Sequence, residues 1–421
     1  MHPKKMLLTV TLLGLLALPA THAFAAISFA PQVEHALPAG ATFPRSICSQ
    51  EKLLMYGASK ILVACSDRIS DVWVYPNGTI SDIGQTLAVD PRFVGYGSFS
   101  RNVPDEEAFS EYTLSGSVVV EGLYGTSSFS FISPLEFCLA DFDRDFKPDL
   151  AVVEFENDAV RIFQNNSVNS LSTPSFSAWT VVLAGDGPVS ICHADFNEND
   201  KEDLAVANFN SSNVYVLENK CLDYANWPSF TTQSYAVGPN PKCVRAADFD
   251  GDGKPDLVTC DFGGAVSILR NTSGIVISFA PKVDVGTGWF GSPSWMCVDD
   301  FDSDGKPDIA VTNSGWATIT ILRNTSTRGS ISFEWGGGGV VGLTPWSICS
   351  GDFNFDGKPD LAVANNSSHS VSVLLNTTST SGSGGGVCGD ANCDLFVDIS
   401  DVVYLIAYIF SGGLKPCAAC K

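Results

Sequence analysis

Five nine-residue segments place acidic or amide side chains at alternate positions: DFDRDFKPD at 141–149, DFNENDKED at 195–203, DFDGDGKPD at 248–256, DFDSDGKPD at 300–308 and DFNFDGKPD at 352–360. In the third, Asp248, Asp250, Asp252 and Asp256 stand at positions 1, 3, 5 and 9, and Gly253 at position 6 allows a sharp turn. Alternate residues of a tight loop can point several oxygens at one centre, and calcium takes roughly six to eight such hard ligands. The Lys254 carbonyl at position 7 completes the set, its side chain facing away. The same spacing makes ligand candidates of Asp141, Asp143, Asp145 and Asp149, of Asp195, Asn197, Asn199 and Asp203, of Asp300, Asp302, Asp304 and Asp308, and of Asp352, Asn354, Asp356 and Asp360. An Asp- and Gly-rich hairpin turn without an ion is the alternative. It would leave carboxylates crowded together and repelling one another, and recurrence at one phase favours calcium. The loops are unequal. Phe146 and Asp200 replace the position 6 glycine, and Asn197 and Asn199 lower the charge of the second loop, so weaker or distorted sites are expected at 141–149 and 195–203.

The elements that must hold these loops repeat with them. Loop starts at 141, 195, 248, 300 and 352 are 54, 53, 52 and 52 residues apart. A near-constant period of this size signals a propeller or solenoid. Each loop leads into a short apolar run (LAVV, LAVAN, LVTCD, IAVTN, LAVAN), and a second β-rich run such as VSILRN, ITILRN or VSVLLN follows. With the strands before the next loop this gives roughly four short strands per unit, separated by Gly, Asn and Ser turns. Such a unit repeated radially is a propeller blade. The segment 44–79 parallels 345–378, with Glu51-Lys52-Leu53 where an acidic loop would be, and 91–134 has room for a degenerate unit around Val118-Val119-Val120. The expected fold is an all-β, seven-bladed propeller over 26–378. ISFAP at 27–31 matches ISFAP at 277–281, and the last repeat lacks that strand, so the N-terminal strand is expected to complete the final blade and remove an exposed edge.

These repeats resemble the FG-GAP/VCBS family, the integrin-α-like propeller repeat with D-x-D-x-D-G-x-x-D loops. The resemblance spans about 27–378 and implies a propeller with structural calcium, but no single activity. After a Gly/Ser linker at 379–387, residues 390–401 read DANCDLFVDISD, an EF-hand-like loop with candidate ligands Asp390, Asn392, Asp394, the Phe396 carbonyl, Asp398 and Asp401. An apolar run at helical spacing follows, ended by Gly412 and Gly413. The 388–421 segment resembles one repeat of a type I dockerin, which implies a small α-helical calcium module and a cohesin-like partner. Leu395 stands where the loop glycine is expected, and one repeat is present where dockerins pair two. Cys388, Cys393, Cys417 and Cys420 suit a small disulfide-stapled fold.

At the other end Lys4 and Lys5, the apolar run 6–19 and small residues near Ala23 and Ala25 follow the order of a secretory signal peptide, here 1–25, giving a secreted or cell-surface protein. No later stretch is long enough to span a membrane. The net charge of −22 repels nucleic acid and anionic membranes. Cys48, Cys138, Cys192, Cys297 and Cys349 share one phase, three residues before a loop or its equivalent, and read as buried small hydrophobes of an inner strand. A Cys243–Cys260 disulfide and the free thiol state both stay open. Catalysis has little support. Beyond residue 25 the histidines are His35, His193 and His369, with no HExxH, GxSxG or P-loop motif. Glu106, Glu107 and Glu111 read as solvated residues of an irregular segment, with a glycosidase carboxylate pair as the sharper alternative. Trp289, Trp295, Trp316, Trp335 and Trp346 come near blade turns, where packing is commoner than sugar stacking. Two functions follow as expectations: a non-catalytic binding or scaffolding module for extracellular glycan or protein, or a polysaccharide-degrading component docked through its tail.

Overall fold

In the computed structural model of the protein, each apolar run after an acidic loop becomes a strand buried along its whole length. Asp149–Glu154, Asp203–Asn208, Asp256–Asp261, Asp308–Asn313 and Asp360–Asn365 are buried at every residue. Continuous apolar character, without alternation, is what a strand covered on both faces requires. The structure describes residues 27–37, 41–53, 58–66, 68–75, 80–87, 91–97, 106–111, 117–122, 125–167, 175–221, 229–286 and 292–378. The expected signal peptide, the linker, and the dockerin-like tail with Asp390, Asn392, Asp394, Asp398 and Asp401 lie outside them.

Among the described residues there are seven four-stranded antiparallel sheets. Ser46–Leu53, Ala58–Ala64, Arg68–Val74 and Ile80–Leu87 form the first. Five more follow in chain order with first strands Pro91–Gly97, Pro134–Ala140, Pro188–Ala194, Pro241–Ala247 and Pro293–Asp299. Six first strands begin with proline, counting Pro345–Gly351 of the seventh sheet, and each shows a register shift just after it. Proline has no N–H for the ladder, so the strand starts there with a bulge. The first strand of each sheet packs beside that of the next, and Pro345–Gly351 packs beside Ser46–Leu53.

The seventh sheet takes Pro345–Gly351, Asp360–Asn365 and Ser370–Leu374 from the end of the repeats and Val33–Ala36 from the N-terminal side. Val33–Ala36 pairs with Val373–Ser370, two residues beyond the ISFAP segment expected to do so. Within 27–31 there is a single bridge, Phe29 to Asn376, and the fifth sheet repeats it as Phe279 to Asn271. Pro31 and Pro281 interrupt both ladders for lack of an N–H. Glu106–Glu111, expected to be irregular, is the second strand of the second sheet, held between Pro91–Gly97 and Ser117–Gly122. One 3-10 turn, Phe155–Asn157, is the helical element among the described residues, and no helix there is long and apolar enough to cross a membrane.

The core lies between neighbouring sheets, and the acidic loops contribute to it. Phe142, Phe196, Phe249, Phe301 and Phe353, at loop position 2, are all fully buried. Each joins the core of the next sheet. Phe249 packs with Met296, Ile309, Val311 and Leu322 of the sixth, and Phe353 packs with Ile47, Ile61, Val63 and Val72 of the first.

Candidate metal centres

Each acidic loop joins the first strand of its sheet to the second, and its own backbone folds around the position 1 carboxylate. The N–H groups of Asp252 and Gly253 donate to Oδ1 and Oδ2 of Asp248 at 3.1 and 2.8 Å. The same pair of bonds reaches Asp141, Asp195, Asp300 and Asp352. Position 5 accepts from the N–H of position 7, as Lys254 to Asp252 at 3.0 Å. Position 7 side chains turn outward at Lys306 and Lys358, which donate to the carbonyls of Ser326 and Thr378 at 2.9 and 2.8 Å, but Lys147 Nζ lies 3.3 Å from Asp145 Oδ2 of its own loop.

Turning these N–H groups inward requires left-handed backbone at two positions. Position 6 has φ of 97°, 86° and 82° at Gly253, Gly305 and Gly357, and 68° and 61° at Phe146 and Asp200. A Cβ at any of the three glycines would meet nothing within 4 Å, so backbone conformation and not space selects glycine. Position 4 is left-handed too, at Arg144, Glu198, Gly251, Ser303 and Phe355, which the spacing did not reveal. Loop 141–149 therefore keeps the common hydrogen-bond frame instead of distorting, at the expense of a strained Phe146. Phe146→Gly and Asp200→Gly should each raise stability by about 1 kcal/mol in denaturant unfolding. A neutral or destabilising result would show that these side chains, not their φ angles, set the loop.

The position 9 carboxylates do more than their spacing suggested. Asp256 Oδ2 accepts from the Phe249 N–H at 3.0 Å, and its Oδ1 accepts from the Asn271 N–H beyond the third strand. Asp149, Asp203, Asp308 and Asp360 repeat this, all fully buried. Burial pushes Asp149 up to about 8 and Asp203, Asp256, Asp308 and Asp360 to about 7, against these N–H donors, and neighbouring carboxylates such as Asp143 and Asp250 add to the rise. The asparagine at or just past the end of each third strand was missed, although it recurs visibly in LRN and LLN. Asn324 Nδ2 donates to the Pro307 carbonyl of its own loop at 3.0 Å and to the Phe249 carbonyl of the preceding sheet's loop at 2.9 Å. Asn219, Asn271 and Asn376 bind Phe142, Phe196 and Phe301 in the same way. Each loop is thus fastened to the next sheet by a buried phenyl ring, and the first four also by a buried amide.

The arrangement could hold metal ions. Carboxylate oxygens of Asp141, Asp143 and Asp149 gather within 4.8 Å of one another, as do those of Asp248, Asp250 and Asp256 and of Asp300, Asp302 and Asp304. In 195–203 the position 3 side chain is Asn197, whose Nδ2 donates to Glu218 at 2.9 Å while its buried Oδ1 has no hydrogen-bond partner. A buried carbonyl oxygen left without a donor suits a cation, and the donor sets are all hard oxygen. In 352–360, Asn354 replaces the position 3 carboxylate and donates to Asp356 Oδ2 at 3.1 Å.

Other candidate residues lie elsewhere. Cys48, Cys138, Cys297 and Cys349 are half-buried and line a cavity of ≈ 530 Å³ between the first strands, with His193, Arg245 and Trp295. All four also pack against the buried clusters of their sheets, so the inner-strand position expected for them meets both the core and this cavity. Arg245 is held by Glu136 at 3.2 Å and lies 5.2 Å from the Trp295 ring. Cys243 and Cys260 face each other across paired strands as free thiols. His193 Nδ1 lies 2.8 Å from Glu202, and His369 Nδ1 accepts from the Phe43 N–H at 3.0 Å. Trp316, Trp335 and Trp346 are exposed.

Residues 195–259 and 300–363 match the family model described as FG-GAP-like repeat. Both segments begin at an acidic loop and run through the next one. No curated protein matches the chain. Among solved structures, a chain of the crystal structure of BBS1N in complex with ARL6DN, soaked with mercury, is similar with a TM-score of 0.56 at 10% identity, over 82% of this chain and 96% of that one. The form soaked with lead gives 0.54 at 10% identity, over 83% and 97%. At such identity the likeness is one of fold, a β-propeller built from repeats.

Proposed function

We propose that the seven sheets form a closed seven-bladed propeller, that its acidic loops hold structural calcium, and that the secreted protein is a non-catalytic binding or scaffolding module for an extracellular glycan or protein. In this reading Asp248, Asp250, Asp252 and Asp256, with their counterparts in the other loops, serve the ring and not a reaction. The ions neutralise carboxylates that the loop backbone has already turned inward. The observation that carries the binding role is on the face away from the loops. Connections between strands there expose Phe43, Phe262, Trp316 and Leu343, and the start of Pro345–Gly351 exposes Trp346, at 45–62% of their surface. Exposed aromatics gathered on one face of a rigid scaffold are a common form of recognition surface. Capture from glycan arrays and extracellular protein mixtures by the calcium-loaded chain tests this. Retained ligand with no product released supports it. Shortening of a captured polysaccharide, or capture of nothing, would overturn it.

A further inference from the structure

In four of the five acidic loops the position 3 side chain meets the third strand of its own sheet. Its partner is the residue just before the asparagine that ends that strand. In 141–149, Gln164 Nε2 donates to Asp143 Oδ2 at 2.8 Å. In 248–256 and 300–308 an arginine holds the place. Arg270 Nη1 lies 3.9 Å from Asp250 Oδ2, and Arg323 Nη1 lies 3.6 Å from Asp302 Oδ2. In 195–203 the polarity is reversed, with Asn197 Nδ2 donating to Glu218 Oε1 at 2.9 Å. In 352–360 position 3 is Asn354, and the residue before the asparagine is Leu375. A carboxylate at position 3 thus goes with a donor, and an amide goes with an acceptor or an aliphatic residue.

The other charges near these pairs are accounted for. Asp250 Oδ2 also accepts from the Gly329 N–H at 2.8 Å. Arg323 is shared, its Nε and Nη2 reaching Glu334 Oε1 at 2.9 and 2.7 Å. Glu218 is paired with Lys220, and in 141–149 the nearby cation is that loop's own Lys147. The two loops with an arginine are therefore the two that combine four aspartates with glycine at position 6. Asp250 is buried and Asp302 half-buried, so their charges are poorly screened by water. While such a loop is empty, a guanidinium within 4 Å relieves part of the repulsion among its carboxylates. Once an ion enters, the same guanidinium repels it. Even at the dielectric of water, a unit charge roughly 6 Å from a divalent ion changes its binding about tenfold.

We propose that Arg270 and Arg323 are built-in counter-cations, which hold Asp250 and Asp302 while their loops are empty and weaken the hold of calcium when they are filled. This rests on the calcium reading and names the residues that tune it. The test is chelator-competition titration of the calcium-stripped full chain. Arg270→Gln and Arg323→Gln, which copy Gln164, should each leave the number of bound ions unchanged and tighten one of them about tenfold. Arg270→Lys keeps the charge and should bind as the unaltered chain does. Gln164→Arg should loosen one ion about tenfold, a converse that removes no buried charge. Lys242→Gln deletes a positive charge at the far end of Pro241–Ala247, the first strand of the Arg270 sheet, and should change nothing. In EDTA the two glutamine variants should melt below the unaltered chain, and saturating calcium should close the gap, because the tighter ion restores what the arginine supplied. An arginine that merely braces the fold would give equal melting losses with and without calcium and no gain in affinity, and that result overturns the proposal. So would equal tightening by Lys242→Gln, which would make the effect one of overall charge. If the unaltered chain binds calcium and neither glutamine variant binds it more tightly, the counter-cation role alone falls. If the unaltered chain binds none, the calcium reading falls with it.

Discussion

Removing calcium should lower the stability of the ring by on the order of 10 kcal/mol, comparable to that of a whole ordinary domain. A site with a dissociation constant of ~10 μM at ~1 mM free ion contributes about 2.7 kcal/mol by linkage, and five loops repeat the arrangement. Excess EDTA should therefore drop the melting temperature sharply. Asp252→Ala, Asp304→Ala and Asp356→Ala should each reproduce part of the loss, and Asn199→Ala less, because its side chain is neutral. A second readout is the pH dependence. Without a cation the buried position 9 carboxylates have folded pKa values of about 7 to 8, raised from the ordinary 3.8. A carboxyl that binds its proton more tightly when folded adds most stability below its unfolded value and loses it as pH rises through the folded one. In EDTA the melting temperature should thus fall between about pH 5 and about pH 7.5. In calcium that slope should disappear, because the ion favours the ionised form. Equal melting temperatures in EDTA and in millimolar calcium would mean that the loops are plain turns.

How much was legible in the sequence depended on whether a feature lay within one repeat. The loop positions, the doubly buried second strands and the period did, so DFDGDGKPD and LVTCD announced both the carboxylate cluster and the strand. The second sheet has no acidic loop. Its strand Glu106–Glu111 carries three glutamates and no β-branched residue, so its pairing with Val118-Val119-Val120 overrides a weak local preference. The cysteine phase and its place on an inner strand were readable, but the cavity beside it was not. Periodicity tells which face a residue shares, not whether that face meets another sheet or a central cavity. The left-handed φ at Arg144, Glu198, Ser303 and Phe355 also left no signal, since only one of the five loops has glycine at position 4.

Phe301→Ala should cost about 3–5 kcal/mol, far more than the loss of a loop side chain suggests. Phe301 stands between two candidate ligands, Asp300 and Asp302, yet its ring is fully buried among Ile348, Leu361, Val363 and Leu374 of the seventh sheet and Ile27 of the N-terminal segment. Its carbonyl accepts from Asn376 Nδ2 at 2.9 Å, and the Phe29 ring meets it edge-on at 6.2 Å. This is also where Val33–Ala36 completes the last sheet, so a cavity here loosens the closure as well as the loop. Asn376→Ala should be damaging for a different reason, leaving the buried carbonyls of Phe301 and Pro359 without a donor at about 1–3 kcal/mol each. Phe146→Ala is the control. The same residue type in the same kind of loop points to solvent at 63% exposure, and its removal should change stability by less than about 1 kcal/mol. Denaturant unfolding in calcium measures all three. Because Phe301 sits inside the loop it anchors, its removal should also weaken calcium binding at 300–308, read as a lower midpoint in calcium titration. If Phe301→Ala and Phe146→Ala cost the same, the position 2 phenyl rings are not what fastens one sheet to the next.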